Sequence, residues 1–294
     1  MRRLFALILA LMMVFALCAC GSEETPNGEN NNDTPEYTKY PDVPGLEDGV
    51  LTVGMECTYA PYNWTQPDDA NGAVAIINNP GNYANGYDVT IAKKIAERYN
   101  VKLEIMALEW GGLCPALDTS LDAVIAGQSM TPDRLAEVDM AGPYYYASIV
   151  CLAKEGSPQA SATGISDLVG TCTAQSSTIW YESCLPQIPG ADIQTETADA
   201  ATMIMSVVSG TVDFICTDMP TAMGACAAHE GLVILDFTGS GDDFTVDQSE
   251  IDIGISVKKG NTALKDKIDA VLSEMNINDF NSLMDQAIAI QPAV

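Results

Sequence analysis

The chain has 294 residues, and its 40 aspartates and glutamates against 13 lysines and arginines give a formal charge of −27. So acidic a surface excludes nucleic acid and anionic lipid headgroups as partners, because both would be repelled. With 47 % hydrophobic residues the chain suffices for one large domain or two ordinary lobes, while its single histidine leaves nucleophilic and metal chemistry without partners.

Arg2 and Arg3 precede an apolar run over residues 4–17, which is too short to span a bilayer and has the pattern of a secretory signal. Residues 17–20, LCAC, resemble a bacterial lipobox. Cleavage after residue 19 and lipidation of Cys20 are expected, because the bulky Leu17 disqualifies Cys18. Residues 20–45, rich in Asn, Glu and Pro, offer little to bury and predict a disordered tether. The implied location is the extracellular face of the cell membrane, held by lipid. The seven later cysteines (57, 114, 151, 172, 184, 216 and 226) are odd in number, lack CxxC spacing and mostly sit in apolar runs. They read as buried thiols, with one disulfide still compatible with the count.

From Val50 the pattern alternates. VLTVGM is strand-like, and GYDVTIAKKIAERYN places Tyr87, Ile91, Ile95 and Tyr99 on one helical face. KLEIM is a strand, a short helix follows near residues 112–119, LDAVIAG is a strand, and Thr131-Pro132 opens a helix. In the second half TCTAQ is a strand, STIWYESC begins a helix, and residues 197–210 form a helix capped by Thr197 and stopped by Gly210. VDFICTD, LVILDF and IDIGISVKKG are strands, the first followed by a helix capped by Asp218, and two amphipathic helices end the chain. ALDTSLDAVIAG and VVSGTVDFICTD match in form, which predicts two α/β lobes built alike around mostly parallel, doubly wound sheets.

In order, VGMECTYAPYNW, GYDVTIAKKIAE, EWGGLCPAL, LDAVIAGQSMTPDR, MAGPYYYAS, TAQSST and VDFICTDMPTA resemble the polar amino-acid-binding proteins of ABC importers. The resemblance covers essentially everything after Val50. It implies a two-lobed periplasmic-binding-protein-like fold (type II), with a signal peptide at 1–19, lobe one at 46–147 and 240–294, and lobe two at 148–239. Two crossings, after residues 143–146 and near 235–241, would form a hinge that closes on ligand. The implied partners are a free amino acid and ABC permease subunits in the membrane, with no cofactor and no metal, and the receptor is expected to be a monomer.

The resemblance also assigns a site. Arg134 in TPDR matches the carboxylate-binding arginine, whose planar fork grips both oxygens. Gly127 and Ser129 would add a backbone group and a hydroxyl. Ser177 and Thr178 would donate at a helix start in the other lobe, with Ser176 where a glycine is common. Asp218 would take the ligand ammonium and also cap its helix. Tyr59 and Trp110 match two aromatics that sandwich the ligand side chain, and Glu56 matches an acid that favours a cationic one, such as arginine, lysine or histidine. The insertion over residues 66–84 either walls the pocket or decorates the surface, and His229 reads as a neighbour of a helix end. Two rivals share the fold: an exported cyclohexadienyl-type dehydratase with Glu56 as its acid, and a receptor reporting to a separate sensor.

Overall fold

The computed structural model describes residues 35–292; the expected signal segment, Cys20 and the tether up to residue 34 lie outside the described residues. The end of that expected tether is docked. Thr38 N donates to the Asn100 carbonyl at 2.8 Å, the Tyr40 hydroxyl to the Tyr99 carbonyl at 3.0 Å, and Val43 and Leu46 are buried. Two apolar side chains suffice to hold so short a stretch, at roughly 1.5–3 kcal/mol for each one fully buried.

β1 (Val50–Met55) leads into a small antiparallel sheet of β2 (Thr58–Tyr59), β3 (Asn63–Gln66), β4 (Val74–Ala75) and β5 (Tyr83–Asn85). α1 (Tyr87–Tyr99), β6 (Lys102–Ala107), α2 (Leu113–Ala116), β7 (Ala123–Val124), α3 (Pro132–Glu137) and β8 (Asp139–Tyr145) complete the first pass. The second group is β9 (Ile149–Lys154), β10 (Val169–Thr173), β11 (Gly190–Ile193), α4 (Ala200–Ser209), β12 (Phe214–Asp218), α5 (Met219–Ala228) and β13 (Leu232–Leu235). α6 (Gln248–Ile251), β14 (Ile253–Val257), α7 (Thr262–Leu272) and α8 (Ile277–Ile290) follow.

Two five-stranded sheets of identical topology result, β6-β1-β7-β14-β8 and β11-β10-β12-β9-β13. In each, four strands run parallel, and the strand next to a crossing, β14 or β9, is antiparallel to both neighbours. The fold is therefore α/β with two mixed, mostly parallel sheets. Because β14 lies between β7 and β8, the chain returns to the first sheet before its last helices: α7 packs on β8, and α8 on both α1 and α5. The central strands have no wet face. Ile149 to Ala153 and all of β12 are buried, as sheets covered by helices on both sides require. Gly54 marks one close approach, since a Cβ there would stand 2.3 Å from a Leu121 methyl.

Three local expectations shift. α4 starts at Ala200, and Asp199 rather than Thr197 caps it, accepting from Thr202 N at 2.7 Å. Thr197 is held by the sheet instead, its N–H on the Ala174 carbonyl and its carbonyl receiving Ser176 N. The return crossing also lies a few residues later than 235–241. The Asp242 carboxylate accepts from Ser166 N and Oγ at 3.0 Å, and Thr245 N donates to Gln187 Oε1 at 2.7 Å, so this stretch stays with the second lobe. Beyond it, Gln248 Nε2 donates to the Ala147 carbonyl at 3.2 Å, beside the first crossing. Third, the insertion extends the edge of the first sheet. Ile76 bridges Ile105, and the Asn78 side chain pairs both ways with the Ala107 backbone at 2.7 and 2.9 Å.

Candidate functional site

Loops at the strand ends of both sheets meet across a nearly shut inner cavity. Tyr59, Trp110, Gly127, Ser129 and Arg134 line it from the first lobe, and Gln175, Thr178, Ile179 and Trp180 from the second. Its free volume, ≈ 10 Å³, is about that of one water-sized sphere, too small for an amino acid as it stands. An outer chamber of ≈ 480 Å³ shares Trp110, Arg134, Thr178 and Ile179 as walls. A third, acidic space of ≈ 350 Å³ is bounded by Glu56, Thr58, Ala107, Leu108 and Glu109 of the first lobe and Asp199 of the second. No residue of the 66–84 insertion lines any of these three spaces.

Arg134 stands in the first turn of α3, whose start is fixed by Thr131 Oγ1 accepting from Arg134 N at 3.3 Å with Pro132 behind it. The guanidinium donates to the Ser129 carbonyl and, across the lobes, to the Ser177 carbonyl at 3.5 Å. It lies 5.4 Å from the Trp110 ring centroid, within cation–π range. Burial pulls its pKa below the ordinary arginine value, opposed by the neighbouring Cys114 thiol. A guanidinium so titrated still carries its charge at neutral pH.

Several expected contributors play other parts. Gly127 has φ 62°, and a Cβ there would stand 2.7 Å from the Tyr59 ring; its N–H donates to the Tyr144 hydroxyl at 3.0 Å and is not free for a solute. Ser129 meets Arg134 through its carbonyl. In this turn of the second lobe Ser177 has a left-handed backbone, with φ 54°. A serine in that conformation costs about 1 kcal/mol or more. The Thr178 hydroxyl donates back to the Gln175 carbonyl at 2.7 Å, closing that turn.

Asp218 is buried and absent from the walls of all three spaces. Its Oδ1 accepts from Thr221 N at 2.9 Å, which caps α5. Its Oδ2 accepts from the Tyr62 hydroxyl at 2.9 Å and the Tyr59 hydroxyl at 3.4 Å, both from the first lobe. Burial raises its pKa, opposed by these bonds. Arg134 and Tyr59 thus share a cavity, while Asp218 sits one hydrogen bond behind Tyr59. Tyr62, stacked on Tyr59 at 4.8 Å, was not among the sequence candidates. Its position three residues after Tyr59 in a short turn was the available signal.

Glu56 has the most unusual surroundings. It is 8 % exposed, its Oε2 has no hydrogen-bond partner, and neither has Gln175 Nε2 from the facing lobe, which is 1 % exposed. Burial pushes Glu56 up to about 8, helped by the negative charges of Asp199, Glu109 and Asp88. The Gln175 amide lies near enough to oppose the shift but outside hydrogen-bond geometry. A buried carboxyl left this way costs about 1–3 kcal/mol, and an incoming donor would relieve it.

The sequence profile of the bacterial extracellular solute-binding proteins, family 3, matches residues 51–286. The L-cystine-binding protein TcyJ of Escherichia coli K12 is 26 % identical over 231 residues, 78 % of each chain. The arginine-binding extracellular protein ArtP of Bacillus subtilis 168 is 26 % identical over 286 residues, 95 % of this chain and 94 % of that protein. An amino acid ABC transporter substrate-binding protein from Streptococcus pneumoniae, solved with L-arginine, superposes with a TM-score of 0.71 at 22 % identity, covering 84 % of this chain and 97 % of the other.

Proposed function

This chain belongs to the bacterial extracellular solute-binding proteins, family 3, and we propose that it is the receptor subunit of an ABC importer for amino acids with a cationic side chain. The observation that carries this is the polarity of the interlobe site. A half-buried guanidinium lines the inner cavity, and an unpartnered buried carboxyl near Gln175 of the same cavity wall borders the acidic space with two further acids. Relatives named for arginine and cystine support an amino acid as the solute.

In the mechanism, Arg134 takes the ligand carboxylate as a charge-assisted fork, with the turn at Ser177 and Thr178 closing over it from the second lobe. Tyr59 and Trp110 flank the aliphatic stem. The α-ammonium meets the Tyr59 hydroxyl, whose proton is already given to Asp218, so the aspartate acts on the ligand through that hydroxyl. The side-chain cation reaches Glu56 and Gln175, with Glu109 and Asp199 adding field. Because groups from both lobes hold each end, binding draws the lobes together. Lipidated Cys20 keeps the receptor at the membrane beside its permease.

Thermal-shift screening of the twenty amino acids against the mature chain tests this. Stabilisation by L-arginine or L-lysine and none by L-aspartate is expected; stabilisation by acidic amino acids alone would overturn the preference. A dehydratase would use protonated Glu56 as its general acid. A receptor gives no absorbance change with prephenate or arogenate.

A further inference from the structure

Asp88, the second residue of α1, is completely buried and lines none of the three spaces. Its two oxygens end two hydrogen-bond chains. Gly127 N donates to the Tyr144 hydroxyl at 3.0 Å, and that hydroxyl donates to Asp88 Oδ1 at 2.7 Å. Cys57 N donates to Asn63 Oδ1 at 2.7 Å, and Asn63 Nδ2 donates to Asp88 Oδ2 at 2.8 Å. Gly127 opens the loop that carries Ser129 and Arg134; Cys57 follows Glu56 and precedes Tyr59. Both have left-handed backbones, with φ 62° and 59°; for Cys57, which is not a glycine, that conformation is strained and must be held from outside.

Each chain begins at a backbone N–H, which only donates, so the polarity of every later bond is fixed. The group at the far end must accept twice and donate nothing. Among side chains of this size, only an ionised carboxylate does so. Asparagine would set one amide donor against Tyr144 or Asn63. Were Asn63 to turn its amide over in response, its NH₂ would face Cys57 N, donor against donor. A protonated carboxyl has the same defect.

We propose that Asp88 is the positioning residue of the solute site, whose ionised carboxylate sets the two loops bearing Glu56, Tyr59, Ser129 and Arg134 in register. The link to solute affinity rests on the function proposed above; the geometry does not. Tyr144 also lies on β8, the strand that leads to the first crossing, so the same carboxylate ties both loops to the hinge. Among the described residues, its titratable neighbours are Tyr144, Tyr87, Tyr59, Cys57 and Glu56, and Asp218 from the second lobe. Burial pushes Asp88 up to about 7, opposed by the bonds from Tyr144 and Asn63 and by the nearby Gly127 N–H. A proton on either oxygen breaks the chain that ends there.

Amide hydrogen exchange of the mature chain without solute tests the network, using protection factors for Gly127, Cys57 and a second-lobe reference, Leu152. Asp88→Asn should lower protection by about tenfold or more at Gly127 or at Cys57, whichever chain meets the amide NH₂, and leave Leu152 unchanged. Tyr144→Phe should lower it at Gly127 alone, and this variant carries the test if Asp88→Asn does not fold. Unchanged protection in either variant, or an equal loss at Leu152, overturns the proposal. L-Arginine titration supplies the functional arm: Asp88→Asn should bind about tenfold or more weakly, with affinity no longer falling below pH 7 by the share due to Asp88. Equal affinity and an unchanged profile would also overturn it. If wild-type protein binds no amino acid, the proposed function fails while the exchange result stands.

Discussion

Glu56→Gln isolates the charge at the far end of the site. Glu56 titrates at about 8 because burial and three neighbouring acids oppose its ionisation, so at pH 7 about 90 % of it is protonated. A guanidinium or ammonium placed against it returns it toward its ordinary 4.5, and binding at pH 7 then releases close to one proton (about 0.9). The proton must leave before the ion pair forms. Affinity for L-arginine should therefore rise about tenfold from pH 6 to pH 7 and level off above about 8. In Glu56→Gln that component disappears, leaving only the smaller slope of Asp88 below about 7, and L-arginine should weaken by about 10–100-fold. Stability moves the other way. The folded value lies above 4.5, so this group favours the fold fully at acid pH and less as pH rises toward 8. Glu56→Gln should raise the solute-free stability at pH 8, on the order of 2–4 kcal/mol, and change little at pH 4. Titration calorimetry in buffers of different ionisation enthalpy counts the proton. Zero proton release on binding L-arginine, or a pH profile identical in Glu56→Gln, refutes the assignment.

Arg134→Ala should lower amino-acid affinity at least ~100-fold, and Arg134→Lys should not restore it, since an ammonium lacks the fork; calorimetric affinity within threefold of wild type would refute this. Gly127→Ala forces a Cβ to 2.7 Å from the Tyr59 ring at φ 62°, and urea denaturation should show a loss of about 1–3 kcal/mol. Tyr62→Phe removes the 2.9 Å bond to Asp218 while Tyr59 and Thr221 remain, so the same assay should register about 1 kcal/mol. Labelled palmitate should enter the wild-type chain in its host and fail to enter Cys20→Ala.

The sequence by itself determined the alternation of elements, the caps at Thr131 and Asp218, the stop at Gly210, and the core strands. Each of these depends on neighbours a few residues away, through side-chain period, φ preference or a local hydrogen bond. Short motifs also single out Arg134, Trp110 and Tyr59, which line one cavity. The tertiary structure decided what no local pattern encodes. Asp218 is turned onto Tyr59 and Tyr62, the Gly127 N–H is used by Tyr144, and Thr197 is drawn into the sheet so that Asp199 caps α4. Asp88 and Asn63 read as a helix first turn and a strand residue, yet together they end the bonds that hold two loops. Whether a polar atom is satisfied depends on what lies opposite it. For Glu56 and Gln175, 119 residues apart in a chain numbered to 294, only the packing of one lobe against the other fixes that.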